Sequence, residues 1–119
     1  MAKEIIAVSH NSLAFGTTIK GEIITDNDIR IDGKVDGNID CKGKIVIGPT
    51  GDIIGNITCS NAEIIGSLTG NLTTREILTI QSTGKLKGDI NTKTLVIEPN
   101  AVFVGSCTMN DGSNKSQKV

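Results

Sequence analysis

Aromatic residues are almost missing from this chain: there is no tryptophan, no tyrosine, and only Phe15 and Phe103. A globular core built by 119 residues normally takes much of its buried area from aromatics. The apolar content here must therefore be organised in another way. Histidine occurs once, as His10 ahead of the repeats described below, and one imidazole cannot supply a multi-histidine zinc site. No stretch approaches the ~18 to 20 consecutive apolar residues of a membrane helix. The N-terminus shows neither the apolar core nor the small-residue cleavage site of a secretory signal, so the expected compartment is the cytoplasm. With 12 Lys plus Arg against 13 Asp plus Glu the net charge is −1, which excludes a large basic field and with it nucleic acid as an expected partner. Cys41, Cys59 and Cys107 form no CxxC pair and read as buried thiols.

Glycine, in contrast, is plentiful, and it recurs in a pattern. A Gly-polar-apolar triplet appears as Gly21-Glu22-Ile23, Gly37-Asn38-Ile39, Gly55-Asn56-Ile57, Gly70-Asn71-Leu72, Gly88-Asp89-Ile90 and Gly105-Ser106-Cys107. Successive glycines are 16, 18, 15, 18 and 17 residues apart, a period near that of a solenoid rung. Four positions before the third residue of each triplet stands another apolar residue: Ile19, Val35, Ile53, Leu68, Leu86 and Phe103. Further back lies a pair at spacing two: Leu13/Phe15, Ile29/Ile31, Ile45/Ile47, Ala62/Ile64, Leu78/Ile80 and Leu95/Ile97. Spacing of two is strand periodicity, and helical spacing is nowhere sustained. The expectation is an all-β, single-domain parallel β-helix of about six triangular rungs, each of three short strands. The domain is expected over residues 13–108, between an N-terminal tail 1–12 and a disordered C-terminal tail 109–119.

Length varies at the bend after the spacing-two pair. Three repeats are read with the short form (Phe15 to Ile19, Ile31 to Val35, Ile64 to Leu68) and three with two extra residues (Ile47 to Ile53, Ile80 to Leu86, Ile97 to Phe103). Gly, Pro, Asn and Thr supply turn geometry there, so the extra residues can bulge outward without shifting the strands.

Each column of such a stack admits a functional and a structural reading. The glycine column is expected to mark bends with positive φ or close backbone approach; a phosphate loop would need a following helix or a GxxxxGK sequence, and neither is present. Beside it runs a polar column, Glu22, Asn38, Asn56, Asn71, Asp89 and Ser106, whose amides can bond along the axis. Asn56-Ile57-Thr58 and Asn71-Leu72-Thr73 match the glycosylation sequon through that register alone. Asp28, Asp32, Asp36 and Asp40 fall at different bends of one rung and read as solvated charges balanced by Lys34 and Lys85, not as an acid–base pair converging on a pocket. The outward position of the first strand reads Ala14, Arg30, Val46, Glu63, Thr79, Val96, too mixed for an ice-binding lattice. No catalytic, cofactor-binding or metal residue is predicted.

The ends remain. Soluble solenoids cover their terminal strand edges with a polar cap, and neither flank of this chain reads as one. Phe15 and Phe103 are expected inward in the first and last rungs, plugging the prism. The predicted polymerisation interface is therefore Leu13, Phe15, Ile19 and Ile23 at one end with Leu95, Ile97, Phe103 and Cys107 at the other.

The segments "IKGEI", "DIRIDGKVDGNI", "IVIGPTGDIIGNI" and "GKLKGDI" resemble the repeats of the bactofilins, over about residues 13 to 108. That resemblance implies a right-handed wind and a bacterial cytoskeletal protein that polymerises without nucleotide or cofactor into non-polar filaments. It implies as partners other copies of the chain, like end meeting like end, and cell-envelope enzymes or membrane proteins that the scaffold organises in cell shape. It also implies a place at the inner face of the cytoplasmic membrane for members with an N-terminal anchor; here Ile5, Ile6 and Val8 would make that contact. The competing readings are a monomeric ligand- or ice-binding solenoid and, further off, a β-helix enzyme of the hexapeptide kind.

Overall fold

A computed structural model describes residues 10–109 and 116–117. Polar and apolar residues alternate through short strands separated by bends, and the chain winds through them as a β-solenoid of six rungs. The rungs are β1 (His10–Leu13), β2 (Thr18–Lys20) and β3 (Ile23–Thr25); β4 (Asp28–Ile31), β5 (Lys34–Asp36) and β6 (Ile39–Cys41); β7 (Lys44–Ile47), β8 (Asp52–Ile54) and β9 (Ile57–Cys59); β10 (Asn61–Ile64), β11 (Ser67–Thr69) and β12 (Leu72–Thr74); β13 (Ile77–Ile80) and β14 (Lys85–Thr92), which bends across two faces; and β15 (Thr94–Ile97) with β16 (Val102–Met109), which does the same. A last strand, β17 (Ser116–Gln117), follows.

Each strand pairs in parallel with its equivalent one rung away. One face has the order β1-β4-β7-β10-β13-β15; the second runs β2-β5-β8-β11 to the first half of β14; the third runs β3-β6-β9-β12 to its second half. Register holds across corners of different length: Asp52 pairs with Ser67 and Ser67 with Lys85 although the preceding corners differ by two residues. Inward side chains form columns of like residues, such as Ile31, Ile47, Ile64 and Ile80, all buried. In that column β-branched side chains stack on β-branched side chains, an arrangement suited to pleated strands, while other columns pass to leucine, as at Leu68 and Leu86.

The glycine column is explained at Gly37 and Gly55. Both have positive φ (152° and 146°), and a Cβ on Gly55 would lie 1.9 Å from the Gly37 carbonyl oxygen. Rungs approach so closely at this corner that no side chain fits. In the polar column beside it the axial bond runs from backbone to side chain and not between stacked side-chain amides: the Asn56 backbone N–H donates to Asn38 Oδ1 at 3.2 Å.

The first rung differs from its expected register. Leu13 pairs with Ile31 and Asn11 with Ile29, so the inward pair is Asn11/Leu13, not Leu13/Phe15. The first corner consequently belongs to the long class, giving four long corners and two short ones. Each long corner is a β-turn closed by one backbone bond: Thr17 N to Ala14 O (3.1 Å), Gly51 N to Gly48 O (2.8 Å), Gly84 N to Gln81 O (2.8 Å) and Ala101 N to Glu98 O (3.1 Å). Phe15 occupies the second turn position, where the other corners place Pro49, Ser82 and Pro99, and it is 78% exposed instead of inward. Gly16 and Asn100, next in their turns, carry the positive φ (92° and 76°) that a type II geometry requires. The outward column of the first face accordingly starts at Ser12 and not Ala14.

Both flanks also depart from expectation. β1 begins at His10, inside the segment read as tail, and β17 pairs antiparallel with β16 where disorder was expected, Cys107 opposite Gln117 and Thr108 opposite Ser116. Ile5, Ile6 and Val8 lie outside the described residues.

Candidate assembly surfaces

A rung in the middle of the stack is closed by its two neighbours; a terminal rung has one. Leu13, Ile19 and Ile23 head the columns that continue as buried Ile31, Val35 and Ile39, yet they are themselves only half-buried. They lie together on the N-terminal end of the prism. At the opposite end Leu95 and Phe103 are half-buried, Ile97 is 39% exposed, and Cys107 is buried beside Met109, with 3.6 Å between Cys107 Sγ and Met109 Sδ. Of the predicted interface residues, then, seven stand at inward positions of the first and last rungs, and Phe15 stands outward on the turn of the first.

Two features of these ends escape a reading of apolar spacing. Asn11 takes an inward position in the first rung, and its Nδ2 donates to Thr25 Oγ1 at 2.9 Å, so the N-terminal end carries a polar pair in the columns that continue as Ile29 and Cys41. At the C-terminal end, outward positions held by charged or polar residues in the rung below become apolar: Val102 succeeds Lys85 and Val104, 58% exposed, succeeds Lys87. With Val96 on the neighbouring face they form an apolar collar around the last rung. The signal was present as broken alternation in "TLVIEPNAVFVGS".

Backbone edges accompany the side chains. Among the described residues β1, β2 and β3 each pair on one side only, as do β15 and the first half of β16. Each such edge presents a row of N–H and C=O groups ready for another strand.

The faces between the ends hold local networks of charge. Arg30 grips Asp32 with Nε to Oδ2 at 2.8 Å and Nη2 to Oδ1 at 3.2 Å. Lys44 Nζ lies 3.3 Å from Glu63 Oε1, while Gln81 Nε2 donates to Glu63 Oε2; these residues line an open groove with Asn61, Ile77 and Thr79. Asp28 Oδ1 accepts from the Lys44 amide at 2.8 Å. Asp28 thus stays exposed while bonded to backbone, and Asp32 is paired with Arg30, where balance by Lys34 and Lys85 was expected. Among the described residues no three His, Cys, Asp or Glu side chains gather in a metal-binding group, and no helix is long and apolar enough to cross a membrane.

The thiols are free and buried. Burial pushes the Cys59 thiol up to about 12 and raises Cys41 and Cys107 as well, since a thiolate in the apolar interior loses its hydration. Cys41 donates to the Asn27 carbonyl at 3.2 Å.

A parallel six-rung prism with open ends can be compared with known proteins. The sequence profile of the Bactofilin family, described as polymer-forming cytoskeletal, matches residues 11–108. The chain belongs to the bactofilins. It is 28% identical over 113 residues to Bactofilin BacP of Myxococcus xanthus, an alignment that takes in 92% of this chain and 47% of BacP, so the chain spans about half the length of that relative. In three dimensions it is similar to the Thermus thermophilus bactofilin seen in a cryo-EM reconstruction of double helical filaments, with a TM-score of 0.80, 28% identity, and coverage of 84% of this chain and 99% of that one. Family membership puts this bactofilin among structural, polymer-forming proteins and not among enzymes.

Proposed function

We propose that this bactofilin is the subunit of a filament that grows end to end without nucleotide, like end meeting like end, and that the filament serves as a cytoplasmic scaffold for cell shape or envelope organisation. One observation carries the reading: both ends of the prism join unpaired strand edges to half-buried aliphatic columns. Each half-buried aliphatic side chain has on the order of 1 kcal/mol still to gain from closure by a second copy. Filament formation by the Thermus thermophilus relative supports it. A monomeric binding solenoid would gain nothing from two such ends.

Negative-stain microscopy of the purified chain in nucleotide-free buffer tests the proposal, with filaments expected and discrete particles counting against it. Phe103→Arg places a charge in the C-terminal junction and should leave only dimers joined at the N-terminal ends. Filaments of that variant at wild-type concentration would exclude the junction.

Envelope proteins and membrane belong to the same reading. A filament displays many copies of its N-terminal segment, so weak contacts through Ile5, Ile6 and Val8 add by avidity. Liposome co-sedimentation of the full chain against residues 10–119, which keep β1 whole, should show loss of binding in the shorter chain; equal binding removes the role of the segment.

A further inference from the structure

The two ends of the prism are not equally open. At the N-terminal end the edges of β1, β2 and β3 are all unpaired among the described residues, whereas at the C-terminal end the second half of β16 is paired with β17 of the same chain. Among the described residues β17 is also the one strand that runs antiparallel to its neighbour.

Direction decides what this means. When two copies of a winding chain meet through the same end, the two-fold axis between them reverses the sense of circulation, and every strand at the junction faces a strand running the opposite way. A copy stacked head to tail would instead present parallel strands. β17 thus lies on Cys107 and Thr108 in the direction that a like-end partner's strand would take. It takes up the edge from which such a partner must hydrogen-bond.

We propose that β17 is a displaceable cap on the C-terminal junction: the chain's own segment competes with the second copy for the third-face edge of the last rung. The proposal rests on the end-to-end reading above. Its sequence suits a weak, reversible occupant. Ser116 and Gln117 are polar, and β17 spans only those two residues. The consequence is an order of assembly, in which N-terminal ends join first and C-terminal joining waits for β17 to leave.

Two variants and two readouts test it. Deletion of residues 110–119 removes the segment, and Ser116→Pro with Gln117→Pro keeps its length while removing both amide donors. Sedimentation should show both lowering the critical concentration for filaments about three- to tenfold, as one or two lost competing hydrogen bonds would. An unchanged or higher value for either overturns the cap, including the case where deletion acts and the prolines do not, since bulk and not strand pairing would then be responsible. Amide hydrogen exchange at 107–109, measured in a Phe103→Arg background, should accelerate when the two prolines are added. Unchanged exchange overturns β17 pairing even if no protein forms filaments, and that absence of filaments would by itself sink the end-to-end reading instead.

Discussion

The aliphatic inward columns run through interior and terminal rungs alike, but a terminal rung has one neighbour where an interior rung has two. Ile31, Ile53, Ile64, Leu78 and Leu86 are fully buried, while Leu13, Ile19, Ile23 and Leu95, in the same inward columns, are half-buried. Stability in such a stack is a sum over adjacent rungs, and the unsatisfied part of the sum is concentrated at the ends. A substitution should therefore act on folding or on assembly according to its rung, with little dependence on residue type.

The largest expected effect is at the glycine corner. Gly55→Ala would drive a Cβ to 1.9 Å from the Gly37 carbonyl, whereas Gly21, in the first rung, has nothing within 4 Å of that position. Both residues have positive φ (146° and 130°) and share the backbone penalty. Gly55→Ala should lose on the order of 4 kcal/mol or fail to fold, and Gly21→Ala about 1 to 2 kcal/mol, read as denaturation midpoints. Equal losses would mean that φ, and not rung-to-rung contact, governs the corner.

Smaller, and split between two readouts, is the pair Ile64→Ala and Leu95→Ala. The interior change should cost about 2 to 5 kcal/mol of folding stability. The terminal one should cost about half as much on the partial burial of Leu95, while raising the critical concentration for filaments several-fold. A Leu95 variant that destabilises like Ile64 and assembles normally would dissolve the distinction between rungs.

The last effect is alkaline and vanishes near neutral pH. Cys59 is raised from 9.0 to about 12 in the folded chain, so the folded state keeps its proton when the unfolded state has lost it. The stability this represents is whole below pH 9, falls progressively between pH 9 and about 12, and is independent of filament formation because the thiol is interior. Cys59→Ala should flatten that part of the slope in urea midpoints taken from pH 8 to 11. An unchanged slope would assign the alkaline loss to other groups.

Most of the fold was legible because its rules are local and repeated. A glycine that must adopt positive φ under the next rung, followed by one outward and one inward residue, is written six times. The first rung was misread because the clue failed there: Asn11 is a polar residue at an inward position, and Leu13 and Phe15 imitate the spacing of an inward pair although a turn separates their roles. Of the end surfaces, the inward columns could be counted from spacing. The collar of Val96, Val102 and Val104 could not, since outward valines carry meaning only once the rung is known to be the last. β17 is two residues long and depends wholly on the edge it meets, so no periodicity announces it.

The corner at which glycine stacks on glycine has a mechanical meaning. Its backbones already touch, with a Cβ at Gly88 excluded by the Gly70 carbonyl at 1.8 Å, so this edge of the rod has no slack to compress. The turn corners are closed from rung to rung as well: Thr50 Oγ1 donates to the Asp32 carbonyl at 2.7 Å, Thr83 Oγ1 to the Ile65 carbonyl at 3.0 Å, and a Cβ at Gly66 would lie 2.3 Å from the Gly48 carbonyl oxygen. With backbone against backbone at both corners, the rod should resist compression on either edge. Filaments of stacked prisms would inherit that stiffness as a long persistence length, measurable in images as straight runs many subunits long.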